Sequence, residues 1–173
     1  MLSTRLKNIT PSVTVAVSSK VKEIKAKGID VINLSIGEPD FNIPEKAKEY
    51  GKRSLKENKT KYDLVPGIIE LREEICKKLK NENNIEYSID QIILTSGAKT
   101  AITNTLLAIT DPGDEVLLPL PFWVSYSEII KVTNAIPVEI ITKKENNFKL
   151  TKDELISSIT NTTDTATVSI SEV

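Results

Sequence analysis

The amino-acid sequence predicts an α/β fold in which helices flank a parallel sheet. Short apolar runs alternate with longer segments whose apolar residues recur roughly every three to four positions, the spacing of one helix face. Turn signals such as the Asp-Pro-Gly of residues 111–113 separate these segments. Parallel strands need a crossover connection, so a regular alternation of strand and helix predicts a parallel sheet covered by helices.

Helical spacing and end signals predict helices over residues 12–27, 44–57, 68–81, 97–109, 122–134 and 151–159. Gly28 closes the first helix, Pro44 suits the start of the second, and Thr151 is the expected N-cap of the last. The helix over 122–134 is expected to begin at its aromatic pair. In the helix over 97–109, the residues predicted to face the core are Ala98, Ala101, Ile102, Thr105 and Ile109.

Short aliphatic and β-branched runs predict strands over residues 31–36, 91–96, 115–119, 136–142 and 165–171. All but the first alternate with the helices that follow residue 68. The length of 173 residues and a hydrophobic share of 39% suit one globular core.

Composition excludes several classes of function. The chain has no histidine and one cysteine, Cys76, which excludes Ser-His-Asp and Cys-His nucleophiles, histidine zinc sites and an internal disulfide, so no metal site is expected. Basic residues (23) and acidic residues (24) are balanced and interspersed, which predicts no nucleic-acid partner. No apolar run reaches the ~20 residues of a membrane helix and no secretory signal is recognisable. The lone cysteine favours a reducing cytoplasm and is expected to be inert.

The first candidate site is the junction where the strand over 91–96 gives way to a helix. In open α/β sheets ligands bind outside the carboxyl ends of strands, and a helix start there offers N–H donors to an anion. Ser96, Gly97 and Ala98 are small enough for a phosphate to reach the backbone, and Lys99 adds a positive charge. The alternative is an ordinary turn capped by Ser96. Neither a P-loop nor a dinucleotide fingerprint is present.

Other candidates lie in predicted loops. Trp123 follows the next strand on the same sheet edge, where its indole offers a face to a planar ring; alternatively Phe122 and Trp123 plug the core. Gly37 allows a ligand carboxylate close to the backbone, or simply makes a turn. Tyr62 is a loop phenol, and such a residue commonly only packs.

Taken together, these stretches resemble the N-terminal part of class I aminotransferases of the Iβ type, the group of bacterial and archaeal aspartate aminotransferases that use pyridoxal 5′-phosphate (PLP). The likeness is carried by PSVTVAV, GEPDF, KTKY followed by PGI and ELRE, LTSGAK, DPGDEV and FWVSY, in order from about residue 11 to about residue 161. It implies a fold type I PLP-dependent transferase. Residues 1–44 would form the N-terminal arm and a small-domain segment, and residues 45–173 an incomplete large domain.

The resemblance implies cofactor roles for one group of candidates. Ser96, Gly97 and Ala98 would hold the cofactor phosphate. Lys99 would point toward that phosphate or toward the distal carboxylate of an acidic substrate. Trp123 would stack on the pyridine ring and contact the substrate.

The resemblance also implies substrates and partners. The backbone of Gly37 would hold the substrate α-carboxylate, and Tyr62 would reach across a homodimer interface to the phosphate in the partner's site. The implied substrates are amino acids and 2-oxo acids of the aspartate and 2-oxoglutarate type.

The chain departs from the family after the strand over 165–171. The family's cofactor-binding lysine, the aspartate beside the ring nitrogen and the carboxylate-binding arginine have no counterpart in this sequence. The expectation is a truncated aminotransferase without activity on its own. The alternative is a non-catalytic remnant that binds PLP or phosphate weakly or pairs with a full-length aminotransferase subunit. In a truncated chain, the strand near Ile93 would lack its neighbours, and the helices that cover the missing strands would expose apolar faces.

Overall fold

The computed structural model describes residues 3–160. Its helices are α1 (Thr4–Lys7), α2 (Val13–Ala26), α3 (Glu45–Lys56), α4 (Ile69–Asn83), α5 (Ala98–Ile109), α6 (Ser125–Val132) and α7 (Lys152–Ser158), and its strands are β1 (Glu115–Leu120) and β2 (Ile136–Ile141). Short 3-10 turns lie at Ile89–Gln91 and Lys144–Asn146. The contacts divide the chain into two compact units, one made of residues 17–95 and the other of residues up to 16 together with those from 96 onward.

The sheet lies in the second of these units, which we call the sheet unit. β1 and β2 are parallel, with Glu115 opposite Ile136 and Leu120 opposite Ile141, and α6 is the crossover between them. Side chains from β1, α5 and α6 meet in one buried cluster: Leu106, Val116, Leu118, Tyr126, Ile130 and Ala135. The predicted alternation of helix and parallel strand is therefore confirmed for this unit.

Local end signals place the helices close to where the sequence predicts them. Pro44 and Gly97, each predicted as the first residue of its helix, are instead the N-caps of α3 and α5, so these two helices begin one residue later than predicted. At α7, the Thr151 hydroxyl accepts the Glu154 N–H, while the Glu154 carboxylate accepts the Thr151 N–H at 2.9 Å, which completes a capping box. These ends are set by residues a few positions apart, so the sequence alone is enough to locate them.

Residues 17–95, which we call the helical unit, contain most of α2 together with α3 and α4. The Arg72 guanidinium of α4 is buried and donates to the Ile89 carbonyl at 2.7 Å and 3.3 Å. The Leu94 N–H donates to the Pro66 carbonyl at 2.9 Å. A Cβ on Gly67 would lie 2.5 Å from the Leu94 side chain, so this backbone approach needs glycine.

The predicted strands over 31–36 and 91–96 are wrong for the described residues. Residues 31–36 are irregular, with a bend at Ser35, and Ile32 and Leu34 are 83% and 91% exposed. Residues 91–96 begin in a 3-10 turn and continue as irregular chain, with Ile93 69% exposed. A strand exists only when a neighbour takes its backbone hydrogen bonds, and residues 3–160 supply none for either run. The lack of neighbours expected near Ile93 stays a prediction, because the strand predicted over 165–171 lies outside the described residues.

Two further boundaries need correction. α6 begins at Ser125 rather than at the aromatic pair, because residues 121–124 form the turn that leaves β1. On α5 the fully buried residue is Leu106, with Ala101, Ile102 and Thr103 half-buried. The other residues predicted for the core face of α5 are exposed: Ala98, Thr105 and Ile109. The helix packs on α6 along one narrow stripe, so only that stripe is covered.

The predicted division at residue 44 concerns the arm, small domain and large domain of the complete family fold, and it stays a prediction.

Candidate functional site

The start of α5 is open to an anion. Gly97 has φ +90° and ψ 167°, a conformation that glycine adopts without strain, and the space where a Cβ would stand is empty. The N-cap of this helix is Gly97 and no side chain caps it, so the Ser96 cap is wrong, while the choice between an ordinary turn and an anion site stays a prediction. Ser96, Ala98 and Lys99 are exposed. A helix start of this kind presents N–H donors and the positive end of the helix dipole.

Trp123 lies beside this helix start. It stands in the turn that leaves β1, and the Lys99 ammonium nitrogen lies 4.4 Å from the centroid of its ring. An ammonium at this distance over an indole face is attracted by the ring quadrupole. The structure therefore brings together the two parts of the predicted site that lie in the sheet unit, at the carboxyl end of β1 and the N-terminus of α5.

The orientation of the indole is fixed by its neighbours. The Tyr126 ring meets Trp123 edge to face, with centroids 5.4 Å apart and planes at 83°. The Tyr126 N–H donates to the Trp123 carbonyl at 2.9 Å, which holds the turn. Tyr126 is buried, whereas Trp123 is 37% exposed. Of the aromatic pair, Phe122 packs against the core and Trp123 keeps an accessible face.

The charge in the first turn of α5 is positive. The first turn of α5 carries no acidic residue, and Lys99 is the second residue of the helix. Helix dipole and ammonium therefore act in the same direction and favour an anion. Together with the exposed indole, these donors suit a ligand that joins a phosphate to a planar ring.

The two other predicted site residues belong to the helical unit. Gly37 lies in an exposed, irregular segment with open space at its Cβ position. The nearby Ser35 hydroxyl donates to the Asn33 side-chain oxygen at 2.6 Å and hydrogen-bonds to Ser18 at 3.1 Å. Tyr62 is fully exposed on its loop. The roles predicted for both residues stay predictions.

Sequence reasoning missed Glu128. Its side chain accepts hydrogen bonds from the Thr10 N–H at 2.8 Å, the Lys131 ammonium at 2.8 Å and the Ser127 hydroxyl at 3.3 Å. Burial is the largest influence and raises the pKa of Glu128, but these hydrogen bonds and the Lys131 charge together outweigh it and leave the pKa below its usual value. The spacing of Glu128 and Lys131 indicates a helix-surface ion pair, and nothing in it reveals the contact with Thr10.

Over residues 3–160, no group of three or more histidine, cysteine, aspartate or glutamate side chains is arranged to hold a metal ion. Within the same range no helix has the length and apolar character needed to cross a membrane. Cys76 is half-buried on α4, as expected.

A family model described as "Aminotransferase class I and II" matches residues 29–170. The chain is 44% identical over 162 residues to the probable aspartate/prephenate aminotransferase of Aquifex aeolicus, covering 94% of this chain and 41% of that protein. It is 41% identical over 163 residues to the aspartate aminotransferase of Bacillus sp. strain YM-2, covering 94% of this chain and 42% of that protein. The chain thus spans about two-fifths of the length of these curated relatives.

Solved structures show the same likeness. The aspartate aminotransferase from Thermus thermophilus with maleate superposes with a TM-score of 0.90 at 40% identity, covering 94% of this chain and 43% of that chain. The aspartate aminotransferase from Thermotoga maritima superposes with a TM-score of 0.87 at 38% identity, with the same coverage of 94% and 43%. The predicted fold class, a partial α/β large domain of this type, is therefore confirmed.

Proposed function

Since the chain belongs to the class I and II aminotransferases, we propose that it forms the part of a PLP-dependent transaminase that binds the cofactor's phosphate and ring. The observation that carries this proposal is the meeting of Lys99 and Trp123 beside the start of α5, whose N-cap is the glycine Gly97. Bound PLP supplies an electron sink for charge on the substrate's α-carbon. The residues of this chain bind and orient that group.

The phosphate is bound at the start of α5. The backbone N–H groups of Gly97 and Ala98 donate to it, and the Ser96 hydroxyl adds a donor beside them. The open space at Gly97 supports this role, because a ligand oxygen approaches the backbone there without meeting a Cβ. The dipole of the 12-residue helix favours the phosphate charge.

The ring of the cofactor is bound on the indole of Trp123. Lys99 covers one face of that indole, so a ring that stacks on this face displaces the ammonium. Lys99 stands in the first turn of α5, and its displaced ammonium reaches the phosphate there. The edge-to-face contact with Tyr126 keeps the indole in place during this exchange.

The substrates are amino acids and 2-oxo acids, of the aspartate and 2-oxoglutarate type. The names of the relatives, aspartate and aspartate/prephenate aminotransferases, support this class. Gly37 holds the α-carboxylate, and Tyr62 contacts the phosphate of a second subunit in a homodimer. The full exposure of Tyr62 supports a role outside its own unit. The cytoplasmic location expected from the lone cysteine belongs to this proposal as well.

Cofactor binding is tested with 4′-deoxypyridoxine 5′-phosphate, which keeps the ring and phosphate but has no aldehyde to react with surface lysines. Trp123 is the one tryptophan of the chain, so its fluorescence reports the stacking directly. We expect saturable quenching by this compound and none by pyridoxine, which lacks the phosphate. Equal quenching by both compounds would contradict a phosphate site at α5.

Variants of Lys99 and Trp123 test the phosphate contact and the ring contact separately. Binding of the same compound to each variant is measured by equilibrium dialysis. We expect Lys99→Met to weaken binding roughly tenfold, the effect of losing one charge-assisted hydrogen bond. Lys149→Met, an exposed lysine of the same unit, serves as the matched control and leaves binding unchanged. Trp123→Ala abolishes binding, whereas Trp123→Phe retains part of it because a smaller aromatic face remains.

Turnover is measured by a coupled assay with aspartate and 2-oxoglutarate. The chain spans 41% of the length of its Aquifex relative, so we expect no turnover from the 173-residue polypeptide alone. Sustained turnover by purified chain, abolished by Trp123→Ala, would contradict this expectation.

A second candidate function is that of a non-catalytic subunit that pairs with a full-length aminotransferase. The exposed apolar side chains of the helical unit support it, among them Leu34, Val65 and Leu55 at 91%, 97% and 68% exposure. Co-expression with a full-length relative and size-exclusion chromatography test it. A strictly monomeric chain in the presence of that relative would refute it.

A further inference from the structure

Two segments that are distant in sequence meet next to the turn that carries Trp123. The Thr10 N–H donates to the Glu128 carboxylate at 2.8 Å, across 118 positions of the chain. α1, just before Thr10, packs against α6. Residues 10–13 line a cavity of about 260 Å³ together with Phe122, Val124, Ser125, Ser127 and Glu128.

Both carboxylate oxygens of Glu128 accept hydrogen bonds, but from different parts of the chain. Oε1 accepts from Lys131 and Ser127, which lie on the same helix. Oε2 accepts from the Thr10 backbone. The side chain is 22% exposed, so water competes for these bonds less than at the open surface of a helix. Glu128 thus links the helix that follows Trp123 to the N-terminal segment.

We propose that Glu128 is a positioning residue that fixes residues 10–13 against the turn carrying Trp123. The N-terminal segment thereby becomes one wall of the cavity, opposite Phe122 and Val124, the two neighbours of the indole. Thr10 lies outside the residues that match the family model, 29–170, so the family match does not assign this contact.

The Lys131 ammonium favours the ionised form of Glu128. Lys131 is the charged side chain in contact with it. The elements that pack on α6 bring further charges: Arg5 and Lys7 on α1, Lys99 on α5, Glu115 on β1 and Glu139 on β2. The Glu115 carboxylate accepts a hydrogen bond from Thr160, at the far end of the described chain. The link is therefore present above the ordinary glutamate pKa and is lost as the pH falls through the lowered pKa of Glu128.

The test is amide hydrogen exchange of the full chain, followed by NMR, with the Thr10 amide as the reporter. Glu128→Ala removes the acceptor, and we expect the protection factor of Thr10 to fall about tenfold or more. Glu128→Gln keeps a neutral oxygen acceptor, which is weaker than a carboxylate, and restores only part of this protection. Glu74→Ala is the matched control, because Glu74 pairs with Lys77 at the same i,i+3 spacing and 2.6 Å without a contact to a distant segment.

The pH profile separates positioning from a merely structural role. In the unmodified chain, the protection factor of Thr10 should fall as the pH drops through the lowered pKa of Glu128. In Glu128→Gln it should stay constant, because the amide does not titrate. The proposal is overturned if Glu128→Ala leaves Thr10 protected, or if Glu128→Gln and the unmodified chain share one pH profile. Should Glu128→Ala unfold the sheet unit, seen as exchange throughout β1, the Gln variant and its pH profile decide the matter.

Discussion

The sheet unit and the helical unit bury their apolar residues to very different extents. In the sheet unit, Val116, Leu118 and Ile130 are fully buried. In the helical unit, Leu34 and Val65 are more than 90% exposed, although Leu34 lies in an apolar run that predicts a strand. The difference shows that an apolar run becomes a strand only where a second strand is within reach.

The reason lies in how each run finds its neighbour. β1 pairs with β2, which returns after a single short helix, so both strands and their crossover are contained in residues 115–141. The run over 31–36 has no such neighbour among the described residues. Without a pairing strand it remains irregular, and the exposed side chains of Ile32 and Leu34 contribute little to stability.

Truncating a side chain in each unit should give the largest contrast. We expect Leu118→Ala to lower the free energy of unfolding by about 2–5 kcal/mol, through lost burial and the cavity left behind. Leu34→Ala should change it by less than about 0.5 kcal/mol, because the side chain is already in water. Urea denaturation followed by Trp123 fluorescence measures the transition of the sheet unit.

Far-UV circular dichroism recorded on the same samples reports both units. A loss at Leu34 as large as the loss at Leu118 would show that residues 31–36 pack against something in solution. That outcome would contradict the claim that the two units differ in how far they bury their apolar side chains.

Two glycines that the sequence predicts to bind ligand, one in each unit, provide a smaller contrast. Gly97→Ala should cost about 1–3 kcal/mol, because φ +90° with ψ 167° is a backbone conformation that essentially only glycine adopts. No atom lies near the added methyl group, so the cost is conformational and not steric. Gly37→Ala meets neither obstacle and should be neutral or stabilising by up to about 1 kcal/mol, since alanine restricts the unfolded chain.

Thermal unfolding of the two variants beside the unmodified chain measures this difference. Equal destabilisation by both substitutions would mean that Gly37 also takes a strained conformation. The open start of α5 would then not be distinguished by its backbone.

The sequence was enough to predict a structural feature wherever the residues that determine it are close together in the chain. Thr151 and Gly97 locate helix ends through bonds or dihedrals within four residues, and the spacing of apolar residues locates α4. The sequence was not enough where a feature depends on a partner that is distant in the chain. No pattern near residues 31–36 states whether a pairing strand is present, and no pattern near Glu128 indicates that Thr10 is its partner. The sequence predicts Lys99 and Trp123 after two neighbouring strands, and they do lie together, although only β1 of those two strands is formed in the described residues.

Each unit contains a capping box, and the two boxes should respond differently to pH. In the sheet unit the Thr151 N–H donates to the Glu154 carboxylate, and in the helical unit the Ser88 N–H donates to the Gln91 amide oxygen, both at 2.9 Å. The hydrogen bonds from Thr151, first from its backbone and then from its hydroxyl, lower the pKa of Glu154. A carboxyl with a lowered pKa stabilises the fold above its ordinary pKa, and that stabilisation disappears as the pH falls through the lowered value.

We therefore expect the Thr151 amide proton to shift in NMR spectra with an inflection below the ordinary glutamate pKa. The Ser88 amide should keep its bond to Gln91 over the same range, because an amide side chain does not titrate. Asp90 also has a lowered pKa, through a hydrogen bond with the Ser88 side chain, so Asp90→Asn is included to remove its influence on Ser88. Glu154→Gln should convert the box of α7 into the pH-independent kind. If the Thr151 inflection persists in that variant, a different carboxyl controls this helix start, and α7 depends on tertiary contacts instead of its own first turn.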